Sequence, residues 1–137
     1  MIREITKDTE ILQQVSKSIK PIEAQRVIRD LLDTAEAHKE RCVGLSAIQI
    51  SEPVRVFVAF TGKKFIPFVN PVITQYLGSV YEAEESCMSL EGSRKVSRYT
   101  GVEILYHNGK KHVIERYSGF FAEIIQHEMD HLRGELI

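Results

Sequence analysis

The stretch Ser118-Gly119-Phe120-Phe121-Ala122-Glu123-Ile124-Ile125-Gln126-His127-Glu128-Met129-Asp130-His131-Leu132-Arg133-Gly134 decides how the chain is read. Phe120, Phe121, Ile124, Ile125, Met129 and Leu132 recur at steps of three and four, the spacing that gives a helix one apolar face. Ser118 stands at the N-cap position and Gly134 where a helix stops. Inside this helix His127 and His131 lie one turn apart and can present two imidazole nitrogens to one metal ion. Glu128 sits at the edge of that face, where its carboxylate can reach a water beside such an ion. The plainer alternative is a pair of surface histidines on an amphipathic helix.

A length of 137 residues predicts a single domain, 1–137, large enough to bury a core. The net charge of -1 leaves no electrostatic footprint for a nucleic-acid partner or an anionic membrane. No apolar run is long enough to span a bilayer, and no signal-peptide pattern follows Met1. A reducing cytoplasm is the expected compartment, with a cleaved organellar leader as the open alternative. Two cysteines are present, Cys42 and Cys87. They read as a disulfide, as buried thiols, or with one of them as a thiolate ligand. Two helical histidines leave a metal short of ligands, since sites that do chemistry usually carry three protein ligands plus water.

Upstream, residues 1–20 read as irregular. Pro21 suits a first helical turn, and from Ile22 to about Lys39 the residues Val27, Ile28, Leu31, Leu32 and Ala35 keep helical spacing. Val54, Val56 and Val58 alternate as in a strand. Phe65 to Val72 is extended but holds Pro67 and Pro71, which predicts an edge or a bend. Tyr76 to Tyr81 reads as a further strand. Val102, Ile104 and Tyr106 alternate, Asn108-Gly109 marks a hairpin, and Val113 to Tyr117 returns. This order predicts an α+β domain: antiparallel or mixed sheet packed around the C-terminal helix, with one N-terminal helix.

Three segments carry a resemblance. They are Val43-Gly44-Leu45-Ser46-Ala47-Ile48-Gln49, Glu85-Ser86-Cys87-Met88-Ser89, and Gln126-His127-Glu128-Met129-Asp130-His131-Leu132 with Gly134. In this order they resemble the signature motifs of the peptide deformylases, roughly G-x-G-x-A-A-x-Q, E-G-C-x-S and Q-H-E-x-D-H-L-x-G. The similarity runs from about residue 42 to the end, and Phe68 to Ile73 is similar to a connecting segment of that family. Cys42 stands where the family has its first glycine, Ser46 and Ser86 replace an alanine and a glycine, and Leu90-Glu91 replaces a Val-Pro pair. The chain resembles the short members, which lack a C-terminal extension.

The resemblance implies a metal-dependent hydrolase that removes the formyl group from the N-terminal formylmethionine of nascent peptides, releasing formate. It implies Cys87, His127 and His131 as metal ligands, with water in the fourth position, and Glu128 as general base and later acid. Gln49, through its side-chain amide, and Met88, through its backbone N–H, would hold the oxyanion. Val43 would pair with the substrate backbone, and Gly44 would let that backbone approach. Phe120 and Ile124 would form the methionine pocket with Glu123, whose charge would have to turn to solvent. A thiolate ligand suits Fe2+, Zn2+, Ni2+ or Co2+, and the family implies ferrous iron natively. The implied partner is the formylmethionyl nascent peptide. A transient ribosome contact through Lys63-Lys64 or Lys110-Lys111 is an alternative to plain solvation of those pairs. No nucleic acid or membrane is expected, and a monomer is.

Several residues keep two readings. Arg94 either contacts the peptide beyond methionine or is an exposed flexible side chain. Glu85 and Arg98 are an ion pair behind Cys87 or two solvated charges. Asp130 is an acceptor behind the ligands or a helix-surface charge. His107 and His112 are expected in solvent. Two other functions compete: an ordinary metalloprotease using the same helix, and a non-catalytic binder of metal or peptide. The first more often takes a downstream third ligand, and only six residues follow His131. The second would not need Glu128 and Gln49.

Overall fold

The segment Val56-Phe57-Val58-Ala59 is apolar at every position, the pattern of a strand covered on both faces. In the computed structural model, which describes residues 1–137, it forms β2 (Val56–Phe60). Val56 and Val58 face Val27, Ile28, Leu31 and Ala35 of α2 (Gln25–Ala37), four of the five residues of its anticipated stripe, with the fifth, Leu32, partly buried against the same cluster. Phe57 and Ala59 face Ile125 and Leu132 of α3 (Gly119–Leu132). The sheet thus separates two apolar clusters, one under each helix.

The remaining elements are α1 (Thr9–Leu12), β1 (Gly44–Ser46) leading into a 3-10 turn (Ala47–Ile50), β3 (Phe65–Cys87), β4 (Leu90–His107) and β5 (His112–Ser118). The five strands make one antiparallel sheet in the order β1-β2-β3-β4-β5. This is the expected α+β arrangement, and its sheet is wholly antiparallel. Phe68 stacks on Phe57 with ring centroids 4.6 Å apart and meets Tyr106 at 4.2 Å, closing the core beneath α3.

Several local expectations change. Phe65 to Val72 and Tyr76 to Tyr81 are parts of one strand, β3, which is central in the sheet. The prolines are tolerated because β3 is locally an edge. Phe65 to Phe68 pair only with β2, residues beyond Val69 pair only with β4, and Val69 alone pairs with both. Pro71 falls in the register shift between Val69 and Val72. Further shifts follow after Ile73, Leu77 and Glu85, and such bulges bend a strand. They carry the far end of β3 to α3. The Ser118 side chain makes no capping bond, because Ser118 is still in register with Gly101 as the last residue of β5. Gly134 does end α3, at φ 78, and a Cβ there would lie 2.4 Å from the Gln13 carbonyl oxygen.

Residues 1–20, expected to be irregular, hold the short helix α1, and their start is tied down. The Met1 ammonium and the Arg3 guanidinium both reach the buried Asp30 of α2 at 3.1 Å. Both cysteines are free thiols, so the disulfide reading is set aside. His107 is half-buried, its ring in edge contact with His112. No helix is long and apolar enough to cross a membrane.

Candidate metal centre and cleft

Ten residues of α3 are buried, and five of them are polar: Gln126, His127, Glu128, Asp130 and His131. Burying polar groups on one helix is unfavourable unless each finds a partner. Cys87, at the tip of β3, is brought to this face by the bent hairpin. Its sulfur and one nitrogen from each of His127 and His131 lie within 4.8 Å of one another. Neither ring nitrogen of His131 has a hydrogen-bond partner, although the residue is only 1% exposed. Burial pushes the His131 imidazole down to about 3, with cationic His127 and Arg98 adding to the effect. A neutral imidazole with an unclaimed lone pair is what a metal ligand requires. One sulfur and two nitrogens around that orphaned ring fit a borderline-soft divalent cation.

Behind the ligands stands a charged ring. The Glu85 carboxylate meets His127 Nδ1 at 2.8 Å, and Arg98 donates to Glu85 through Nε at 2.9 Å and Nη2 at 2.7 Å. The third arm of Arg98, Nη1, donates to Asp130 at 2.7 Å, and Arg133 adds a second donor to Asp130. All three of Glu85, Arg98 and Asp130 are buried. Glu85 and Arg98 are therefore a true ion pair, and Asp130 is an acceptor rather than a surface charge. Burial alone would raise Glu85, but Arg98 and His127 outweigh it and hold the carboxyl well below its ordinary value. Burial likewise works against protonated His127, yet the Cys87 sulfur and Glu85 raise it to about 10. The Glu85 contact occupies Nδ1 and leaves Nε2 as the nitrogen open for coordination.

Glu128 projects the other way, toward β1. Burial pushes its carboxyl up to about 7, while His127 and the Ser46 hydroxyl pull it down. Ser46 Oγ donates to Glu128 Oε1 at 2.8 Å. Gly44 makes room for this carboxylate: a Cβ there would sit 2.7 Å from Glu128 Oε2 and 2.9 Å from Ile124 Cγ2. The missing side chain at Gly44 thus serves Glu128 directly. Gln49 is held by its own turn, its Oε1 accepting from the Ser46 N–H at 3.0 Å while its Nε2 donates to Ser89 at 3.1 Å. One of its two N–H groups remains free. The Met88 N–H takes part in none of the turn or loop hydrogen bonds.

A cleft of about 210 Å3 opens onto these groups. Val43, Gly44, Gln49, Cys87, Met88, Phe120, Ile124, His127 and Glu128, all anticipated for the site, line it. Phe120 is 62% exposed at its rim. Arg94 does not line the cleft; its Nη2 turns back to the Glu91 carbonyl at 3.2 Å. Glu123 is the other departure. It faces the cleft and accepts from the Tyr81 hydroxyl at 2.7 Å instead of standing free in solvent. Arg41, Cys42, Glu84, Glu85 and Ser86 also line the cleft beyond the anticipated set. Burial pushes the Cys42 thiol up to about 12, which makes it a packing residue with its sulfur on the Gly44 carbonyl. Glu85 and Arg98 carry two readings in the sequence, ion pair or solvated charges, and the hydrogen bonds between them decide for the pair.

The chain was compared with known proteins. Residues 2–137 match the family model described as polypeptide deformylase. A peptide deformylase of Clostridium beijerinckii is 44% identical over 141 residues, covering 100% of both chains. Among solved structures, a peptide deformylase from Thermotoga maritima superposes with a TM-score of 0.90 at 28% identity, covering 99% of this chain and 95% of that one. A peptide deformylase from Legionella pneumophila does so at 0.88 and 33%, covering 99% and 83%. Family model, full-length relative and shared fold agree, and the chain belongs to the peptide deformylase family of enzymes.

Proposed function

We propose that this chain removes the formyl group from N-formylmethionyl nascent peptides by metal-assisted hydrolysis. The observation that carries the reading is the convergence of Cys87, His127 and His131 beside a buried Glu128 at the floor of one cleft. These three residues would hold a divalent cation; a thiolate suits ferrous iron, zinc, nickel or cobalt, and membership of the family implies ferrous iron. When bound, the ion acidifies water and polarises the formyl carbonyl.

The chain's own residues supply the rest. Glu128 takes the proton of the attacking water and later delivers it to the leaving amine. A carboxyl near 7 is matched to both roles at neutral pH. Attack on the formyl carbon develops an oxyanion, for which the free N–H of Gln49 and the Met88 N–H are the available donors. Losing one such donor typically costs about 3–4 kcal/mol of transition-state stabilisation. β1 pairs only with β2, so its outer edge is open to an extended peptide added as a further strand. Val43, 42% exposed, lies at that edge. Phe120 and Ile124 would take the methionine side chain.

The test is formate release from a formyl-Met peptide by anaerobically prepared protein loaded with ferrous iron or nickel. Turnover that a chelator abolishes is expected, and no turnover with either metal overturns the reading. Cys87→Ser is expected to weaken metal binding beyond the roughly 100-fold that loss of an outer partner produces. Cleavage of an unblocked peptide bond in place of formate release would favour the metalloprotease reading.

A further inference from the structure

Glu123 lies four residues before His127, one helical turn along α3, and lines the same cleft. A pocket shaped for a thioether by Phe120 and Ile124 gains nothing from a carboxylate, yet this one is held in place. The Tyr81 hydroxyl donates to Glu123 Oε1 at 2.7 Å, tying β3 to α3. The Glu123 carboxyl takes no N–H or O–H donor besides Tyr81, pairs with no cation, and lies within hydrogen-bond reach of the Glu85 carboxylate. Among the other cleft carboxylates, Glu84 and Glu128 each accept from one hydroxyl, that of Ser93 at 2.9 Å and that of Ser46 at 2.8 Å. Glu85 is engaged at both oxygens, by Arg98 and His127. Glu85 is also close enough to push the Glu123 carboxyl up, after burial itself. Two neighbouring carboxylates, one of them with Tyr81 as its single donor, present acceptor capacity that an N–H donor satisfies and a methyl group does not.

We propose that Glu123, positioned by Tyr81, sets the specificity of the side-chain pocket. It admits unbranched N-terminal side chains that end in an N–H donor, such as glutamine, beside methionine. A site built around a hydrogen bond discriminates on polarity far more steeply than an apolar site does on one methylene. This inference rests on the deformylase reading, and the experiment separates the two.

The measurement is kcat/KM of the iron-loaded protein on formyl-Met-Ala-Ser, formyl-norleucine-Ala-Ser and formyl-Gln-Ala-Ser. It is repeated for Glu123→Leu, Glu123→Gln and Tyr81→Phe. The ratio of the glutamine to the norleucine substrate within one variant does not depend on how much of that variant is folded. Glu123→Leu is expected to lower this ratio about tenfold, the effect of one hydrogen bond to a charged group. Glu123→Gln, which keeps an acceptor, is expected to lower it less, and Tyr81→Phe to shift it in the same direction. An unchanged ratio in Glu123→Leu, with formyl-Met-Ala-Ser still hydrolysed, overturns the proposal alone. Failure of the wild-type protein on all three peptides overturns the deformylase reading and the proposal together.

Discussion

α2 and α3 lie against opposite faces of one sheet, and they bury different chemistry. α2 turns Val27, Ile28, Leu31 and Ala35 inward and keeps most of its charges outside. Its one buried carboxylate, Asp30, is met by the N-terminus, Arg3 and Arg26. α3 buries five polar or charged residues among its apolar ones, and four of them have hydrogen-bond partners; His131 has none. Burial on α2 is explained by the fold. Burial on α3 is explained only when the unpaired imidazole is given a ligand, because an unsatisfied buried polar group is unfavourable by about 1–3 kcal/mol. The contrast separates a helix whose buried groups are all partnered from one that leaves a buried imidazole open.

Substitutions on the two helices should therefore fail differently. The largest effect is expected from Glu128→Ala. It should retain metal and fold while kcat/KM for a formyl-Met peptide falls by up to about 10^4-fold, the upper range for a general base. Metal analysis beside the rate assay checks this, and full activity would remove Glu128 from the base role. Next, Arg98→Met leaves Glu85 and Asp130 buried without their guanidinium. Denaturant unfolding should show a loss of about 3–5 kcal/mol, and metal affinity should fall about 10–100-fold as His127 loses its fixed partner. A purely structural ion pair would lower stability and leave metal affinity alone.

On the other face, Leu31→Ala should destabilise by about 2–5 kcal/mol through cavity formation. kcat/KM measured below the unfolding transition should not change; a rate change would show that α2 is coupled to the cleft. The smallest expected effect on stability is that of Gly44→Ala, about 1–3 kcal/mol from overpacking against Ile124 and Glu128. Its loss of rate should exceed its loss of stability, because the clash displaces the base. Equal losses would mean that Gly44 only relieves packing.

The stripe of α2, the strand at Val56 and Val58 and the helical pair His127 and His131 are legible because each is a local periodicity. The long hairpin of β3 and β4 was not. Much of it carries exposed residues with no clean alternation, and its bulges reset the register four times. For the same reason the Arg98 partner of Glu85 stayed undecided between ion pair and solvated charge. Arg94 was given a place near the peptide that its turn toward Glu91 does not support. Glu123 lines the cleft as the resemblance implies, but its spacing on the helix says nothing of Tyr81, 42 residues earlier, which takes the charge expected to turn to solvent.

By itself the sequence determined which residues share a helical turn, which strand is apolar throughout and which motifs follow one another, because side-chain periodicity is a property of neighbouring residues. Only the tertiary structure decided that a sulfur at the tip of β3 meets two nitrogens of α3, that Gly44 yields its space to Glu128, and that Arg98 binds two carboxylates at once. Those contacts join segments more than ten residues apart. They depend on strand register, bulges and the packing of a helix across a sheet, none of which any short stretch of the chain contains.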